Sequence, residues 1–179
     1  LSAFEKYQQQ SAWTWEHQAL VRSRVIAGDA DLREDFNLVR ENTLRQKRDS
    51  QSLATQVQEM REKMRQHLGK HTKDGKFSLK QGSGGIVDIE FMVQFAVLAW
   101  SHDHPQLVRW SDTIRILESL AQCGLLAEES ALQLIDAYKT FRSAGHRLEL
   151  QNQQAKIARS EFVQEREAVV EQWQALLQF

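Results

Sequence analysis

Residues 80–91 read Lys80-Gln-Gly-Ser-Gly-Gly-Ile-Val-Asp-Ile-Glu-Phe91, and the conformation of this stretch decides the fold class of the chain. It holds three glycines, one serine and the carboxylate pair Asp88 and Glu90. On a β-strand, alternation would place both carboxylates on the same face, where they could bind one Mg²⁺ ion. On an α-helix, residues two apart point in nearly opposite directions, so the pair could not bind one metal ion together.

The spacing within this stretch favours the helix. In a nucleotidyltransferase site of the polymerase-β type, Gly-Ser begins a short helix and the acidic pair lies on the next strand. Here only four residues separate Ser83 from Asp88, too few for a helical turn and the entry into a second strand. The apolar run from Ile89 to Trp100 is also too long for a typical strand. The sequence therefore predicts a glycine-rich loop that leads into a buried helix, with Asp88 and Glu90 in its first turn.

Two interpretations of the loop remain open. Backbone N–H groups at a helix N-terminus attract anions, and Gly82, Gly84 and Gly85 permit a close approach of a ligand. Lys80 adds positive charge, so the functional interpretation is a loop that contacts phosphate or another anion. The structural interpretation is a buried helix with a tight entry turn, and a glycine-rich loop alone is a weak signal of function.

The composition predicts a helical protein without a disulfide. One proline and eight glycines leave few turns, and the lone Cys123 fits a reducing compartment such as the cytoplasm. The net charge of -1 gives no indication of nucleic acid or an acidic membrane as a partner. The longest apolar stretch, residues 91–100, is too short to span a bilayer.

Apolar residues recur at intervals of three and four along most of the chain, which predicts amphipathic helices. We predict an all-α bundle of about six to seven helices in a single domain over residues 1–179, with an irregular glycine-rich loop or short extended segment at 69–85. The first helix is predicted to run over residues 2–27 without a break. Predicted N-terminal caps of later helices are Asp29 or Asp31, Ser50 or Ser52, Ser111, and Ser160.

Arg61 and Arg65 lie on the polar side of a predicted helix over residues 51–68. We interpret this side as a solvated face with salt bridges, and the alternative is a contact with phosphate or a partner near the loop. We predict no metal ligands in the chain. Asp29-Ala-Asp31 is the only Asp-x-Asp sequence, and its position after a glycine and before a helix is typical of a cap.

Four stretches resemble the glutamine synthetase adenylyltransferases, a family of two-headed enzymes of bacterial nitrogen control. Residues 80–95 are similar to the family's Gly-Gly-x-x-Asp-Ile-Glu-Phe segment, and residues 12–25 to the helix that follows a catalytic domain. Residues 58–65 and 109–117 resemble later helices. The four stretches occur in the family's order, and the region around Trp173 indicates the C-terminal, adenylylating half.

The resemblance implies an activity for the whole enzyme. The family transfers AMP from ATP to a tyrosine of glutamine synthetase with Mg²⁺, and a separate N-terminal half removes the AMP by phosphorolysis. The implied partners are glutamine synthetase and the PII signal protein, with glutamine as a further regulator. The resemblance implies neither nucleic acid nor a membrane.

The resemblance also implies that the metal-binding aspartates belong to an α/β nucleotidyltransferase domain that precedes Leu1. The chain opens without Met and within a predicted helix, so we expect it to be the C-terminal part of a longer enzyme. We expect it to be inactive by itself, with no catalytic residue and no bound ATP or Mg²⁺.

Our hypothesis is that the 80–90 loop faces the catalytic cleft and helps to complete the site. Asp88 or Glu90 would act as an accessory residue. The predicted phosphate contacts are Lys80, Gly82, Gly84, Gly85, Arg61 and Arg65. One alternative is a regulatory module that binds PII or senses glutamine, and another is a scaffold that joins domains.

Overall fold

The computed structural model describes residues 1–68 and 75–177. These residues form eight α-helices, a short 3₁₀ helix and two strands of two residues each. In chain order the elements are α1 (Ser2–Gln10), α2 (Thr14–Val21), α3 (Ala30–Leu44), α4 (Ser50–Leu68), β1 (Phe77–Ser78), α5 (Ile86–Trp100), the 3₁₀ helix (Pro105–Val108), α6 (Thr113–Gln122), α7 (Glu128–Leu150), β2 (Lys156–Ile157) and α8 (Val163–Leu177). The predicted all-α class is confirmed, although the described residues hold eight helices instead of six to seven.

The additional helix arises because the predicted helix over residues 2–27 is interrupted after Gln10, and its second part ends at Val21 instead of residue 27. Between α1 and α2 the amide of Ala12 bonds to the carbonyl of Tyr7, which turns the chain. The backbone N–H of Trp13 then donates to the Glu16 carboxylate at 2.9 Å, and this contact caps α2. The helical spacing continues through the turn, so periodicity alone did not reveal it.

Aspartates rather than serines cap several helices. The predicted cap Asp29 is confirmed, since its carboxylate accepts the first amides of α3. The predicted caps Ser50 or Ser52, Ser111 and Ser160 are wrong, since Ser52 lies inside α4 and α8 begins only at Val163. Asp49 accepts the Ser52 amide at the start of α4, and Asp112 accepts two amides of α6 at 3.1 Å. A charged cap also complements the helix dipole, which a serine does not.

α5 is the central helix of the bundle. Eleven of its fifteen residues are buried, and α2, α4, α6, α7 and α8 pack around it. A helix that is apolar on all sides is stable only when other elements cover all of its sides. The prediction of a buried helix after the glycine-rich loop is thus confirmed. No helix within the described parts of the chain is both long and apolar enough to cross a membrane.

The two short strands pair in antiparallel fashion and hold the start of the glycine-rich loop. Phe77 pairs with Ile157, and the Leu79 amide donates to the carbonyl of Ala155 at 3.0 Å. The predicted extended segment is therefore present, while residues 69–74 of the predicted irregular region lie outside the described residues. This pairing fixes the loop against the connection between α7 and α8.

Candidate functional site

The loop before α5 satisfies the first amides of that helix. The amide of Ile86 donates to the carbonyl of Leu79 at 2.9 Å, and the amide of Val87 donates to the carbonyl of Lys80 at 3.2 Å. A helix leaves its first amides without partners inside the helix. Here the folded-back loop supplies the acceptors.

The three glycines of the loop stand where a side chain would collide with the protein. A Cβ atom on Gly82 would lie 2.2 Å from the aromatic ring of Phe77 in β1. On Gly84 it would lie 2.4 Å from the carbonyl oxygen of Arg166 in α8, and on Gly85 it would lie 2.7 Å from that of Leu79. Gly84 also has a φ of 80°, which favours glycine. These glycines thus have a packing role that requires no ligand.

The amides of the same glycines donate within the chain. The amide of Gly84 donates to Oδ2 of Asp88 at 2.7 Å, and the amide of Gly85 donates to the carbonyl of Gly82 at 3.0 Å. The amide of Gly82 in turn donates to the carbonyl of Ser78 at 2.9 Å. Lys80, by contrast, is exposed and has no ion pair among the described residues.

Asp88 is buried at the contact between α4 and α5. Its Oδ1 accepts from Nε of Arg61 at 2.5 Å, and its Oδ2 accepts from Arg65 at 2.9 Å. Arg61 is completely buried, so the predicted solvated face is wrong for Arg61, whereas Glu62 and Lys63 of the same helix are exposed. Burial lowers the pKa of Arg61, and the Asp88 carboxylate opposes this effect. We call Asp88, Arg61 and Arg65 the Asp88 cluster.

The Asp88 cluster fastens several elements to one another. The two terminal nitrogens of Arg61 donate to the side-chain and main-chain oxygens of Gln81 in the loop, at 3.1 Å and 2.9 Å. The guanidinium group of Arg65 lies 5.8 Å from the ring centroid of Trp173 in α8. Both oxygens of Asp88 are therefore engaged by donors from α4 and the loop. The cluster holds the loop in place between α4, α5 and α8.

Glu90 lies on a different side of α5 and has different partners. It forms an ion pair with Arg22 just after α2, and the hydroxyl group of Tyr138 in α7 donates to it at 3.1 Å. Although burial lowers the pKa of Arg22, the nearby Glu90 and Tyr138 outweigh it and leave that pKa above its ordinary value. The prediction that Asp88 and Glu90 lie on a helix is confirmed. Among residues 1–68 and 75–177, no group of three or more His, Cys, Asp or Glu side chains could hold a metal ion.

An open groove of about 370 Å³ begins at Glu90 and runs along α7. It is bounded by the end of α2, the glycine-rich loop, the first turns of α5 and the second half of α7. The residues that line it are Arg22, Lys80, Ile86, Glu90, Arg142, Gly145, His146, Glu149 and Ala155. We call it the basic groove, because three arginine and lysine side chains face two carboxylates there.

The basic groove contains only part of the predicted site. Lys80 and Glu90 line it, while Arg61 and Arg65 lie at the Asp88 cluster instead. The groove residues of α7 are Arg142, Gly145, His146 and Glu149, and none of them was predicted as a site residue from the sequence. Their spacing of three, one and three residues places them on one helical face, and this pattern was a usable signal.

Comparison with known proteins gives two family matches. The model described as GlnD PII-uridylyltransferase matches residues 58–171, more than half of the chain. The model described as Glutamate-ammonia ligase adenylyltransferase matches residues 1–39. The first match includes the glycine-rich loop, the Asp88 cluster and the part of α7 that lines the basic groove.

Individual relatives cover nearly the whole chain. A bifunctional glutamine synthetase adenylyltransferase/adenylyl-removing enzyme of Nitrosococcus oceani is 52% identical over 178 residues, which are 99% of this chain and 18% of the relative. The enzymes of the same description from Hahella chejuensis and Pseudomonas putida are 52% and 50% identical, over 97% of this chain and 18% and 19% of their own lengths. The chain thus spans about a fifth of the length of the curated relatives it matches.

Proposed function

This chain belongs to the glutamine synthetase adenylyltransferase family, and we propose that it acts there as a C-terminal helical domain of the enzyme. The whole enzyme would transfer AMP from ATP to a tyrosine of glutamine synthetase and remove it again, in the cytoplasm. ATP and Mg²⁺ would bind to a nucleotidyltransferase domain that precedes this one. The chain by itself would be inactive, and it would contribute to the reaction by positioning groups.

The observation that carries this proposal is the rigid support of residues 80–90 beside an open groove. The Asp88 cluster and the loop glycines fix the backbone, while Lys80 and Glu90 line the groove. Transfer of a nucleotidyl group depends mainly on positioning and on charge stabilisation around the phosphates. An exposed lysine on a backbone that is held in place, beside a neighbouring catalytic domain, would meet both needs.

The predicted site residues take different roles in this proposal. Lys80 contacts a phosphate directly, and Glu90 is the accessory carboxylate. Asp88, Arg61 and Arg65 act through the loop that they hold, as do the glycines. Replacement of Asp88 would therefore affect stability as well as activity and is a poor test of a direct role.

The decisive experiment is the Lys80→Ala variant of the full-length enzyme, assayed for adenylylation of glutamine synthetase. We expect kcat/KM to fall about 10- to 100-fold, because one charged contact with a phosphate is lost. Lys63→Ala is the matched control, since Lys63 is exposed on α4 and does not line the basic groove. Equal rates for the two variants, with normal circular dichroism spectra, would contradict the proposal.

A second candidate function is a regulatory module that binds PII or senses glutamine. It is favoured by the match of residues 58–171 to a family that is described by its action on PII. A pull-down with unmodified and uridylylated PII, together with calorimetry with glutamine, separates the candidates. Binding of PII or glutamine, combined with normal adenylylation by Lys80→Ala, would favour the regulatory function.

A further inference from the structure

The charges of the basic groove are only partly balanced within the protein. Arg22 is paired with Glu90. Lys80 and Arg142 have no carboxylate partner among the described residues, and the recorded contacts of Arg142 are with Tyr138. Glu149 also lines the groove and has no ion pair among these residues, so two cations and one carboxylate there remain available to a ligand. A cation without an internal partner is a common feature of anion-binding sites, because a ligand can then supply the opposite charge.

The floor of the groove also has free space. Gly145 lies inside α7, where glycine costs about 0.5–1 kcal/mol relative to alanine. A Cβ atom there would meet only the Cβ of Ala155, at 4.0 Å. The packing of the described residues therefore does not require glycine at this position, in contrast to Gly84. Its presence widens the groove next to His146.

We propose that the basic groove binds a phosphate group through Lys80 and Arg142, with His146 as a further donor and Glu90 as an internal competitor. This inference deepens the proposed function, because it names the ligand chemistry and the further residues of the same groove, and it replaces the expectation that this chain alone binds no ATP. An arginine fork and a lysine suit the oxygens of a phosphate. A volume of about 370 Å³ lies within the ordinary range of small-molecule sites.

The competitor role of Glu90 follows from its position. Its carboxylate occupies Arg22 and adds a negative charge to the groove that a phosphate would enter. Glu90→Gln removes that charge and releases the Arg22 guanidinium group for the ligand. Phosphate affinity should therefore rise in this variant, whereas it should fall when a direct contact is removed.

The experiment is calorimetric titration of this chain with ATP, AMP and inorganic phosphate, at an ionic strength of about 50 mM to limit screening. We expect Lys80→Ala and Arg142→Gln each to weaken binding about tenfold, and Glu90→Gln to strengthen it about threefold. Lys139→Ala and Arg147→Ala are matched controls, since both residues are exposed on α7 outside the groove. Circular dichroism verifies that each variant is folded.

The outcomes separate this inference from the proposed function. Binding of nucleotides alone, or of inorganic phosphate as well, supports the groove and identifies the source of the phosphate. No binding of any of the three probes by the folded chain overturns it, as does equal loss in the control variants. Weaker binding by Glu90→Gln overturns the competitor role. If Lys80→Ala impairs adenylylation by the full-length enzyme while this chain binds no phosphate, the proposed function stands and the groove assignment fails.

Discussion

Replacement of Asp88 by alanine is the most informative perturbation of this fold. Asp88 is 1% exposed and Arg61 is 0% exposed, so the substitution leaves a buried guanidinium group without its counter-ion. It also removes the acceptor of the Gly84 amide, which holds the loop against α5. The substitution therefore removes the one carboxylate that joins the loop, α4 and α5.

The magnitude follows from the burial of the pair. Removal of one partner of a buried ion pair costs about 3–5 kcal/mol, because the remaining charge cannot be solvated. Arg65 adds little to this cost, since its side chain is 30% exposed and can turn toward water. We therefore expect the free energy of unfolding to fall by about 3–5 kcal/mol, a large share of the ~5–15 kcal/mol typical of a domain.

The assay is urea unfolding of this chain, followed by far-ultraviolet circular dichroism. Asp136→Ala is the matched control, because Asp136 is exposed on α7, and we expect a change within about 0.5 kcal/mol. The double variant Arg61→Met with Asp88→Ala should lose less than the sum of the single losses, since no buried charge of the pair remains. A loss of less than about 1 kcal/mol in Asp88→Ala would refute the reasoning.

Further predictions concern the glycines and the response to pH. Gly84→Ala should lower the midpoint of thermal unfolding, since a Cβ would lie 2.4 Å from a backbone oxygen at positive φ, whereas Gly145→Ala should raise stability by about 0.5–1 kcal/mol. A higher midpoint of thermal unfolding for Gly84→Ala than for Gly145→Ala would contradict the packing argument. Burial lowers the pKa of His17 below 6.5, and the Arg48 cation lowers it further, while the Gln8 carbonyl opposes them. The unfolded chain therefore binds the proton first, and stability should fall as the pH drops below about 6.5. In His17→Gln the urea midpoint should fall less between pH 7 and pH 5 than in the unmodified chain. An equal fall in both proteins would show that His17 does not cause this pH dependence.

The helices of this protein could be predicted well because their signal is local. The bounds of α7 agree with the spacing of its apolar residues, and α5 is evident from a long run without a polar face. The break between α1 and α2 was missed, because it depends on two specific hydrogen bonds. The amide of Ala12 donates to the Tyr7 carbonyl, and the amide of Trp13 donates to the Glu16 carboxylate. The eight glycines and single proline already excluded a turn-rich fold.

The role of Arg61 could not be predicted from its own helix. Val57 and Arg61 are four residues apart and share the buried face of α4, yet an arginine at such a position is usually solvated. Its burial depends on Asp88, which lies 27 residues later in the chain. Arg61 and Lys63 are basic residues of the same helix, and the packing of α4 on α5 decides that Arg61 is buried and Lys63 exposed.

The sequence by itself determined the helical class, the central position of α5 and the placement of Asp88 and Glu90 on a helix. It also carried the resemblance to glutamine synthetase adenylyltransferases. Tertiary structure decided that Asp88 is a buried anchor and that Arg22, Lys80 and Arg142 line one groove with Glu90. The physical reason is that hydrophobic periodicity acts over a few residues and specifies local backbone structure. The environment of a charge depends instead on partners that only the folded chain brings within a few ångströms.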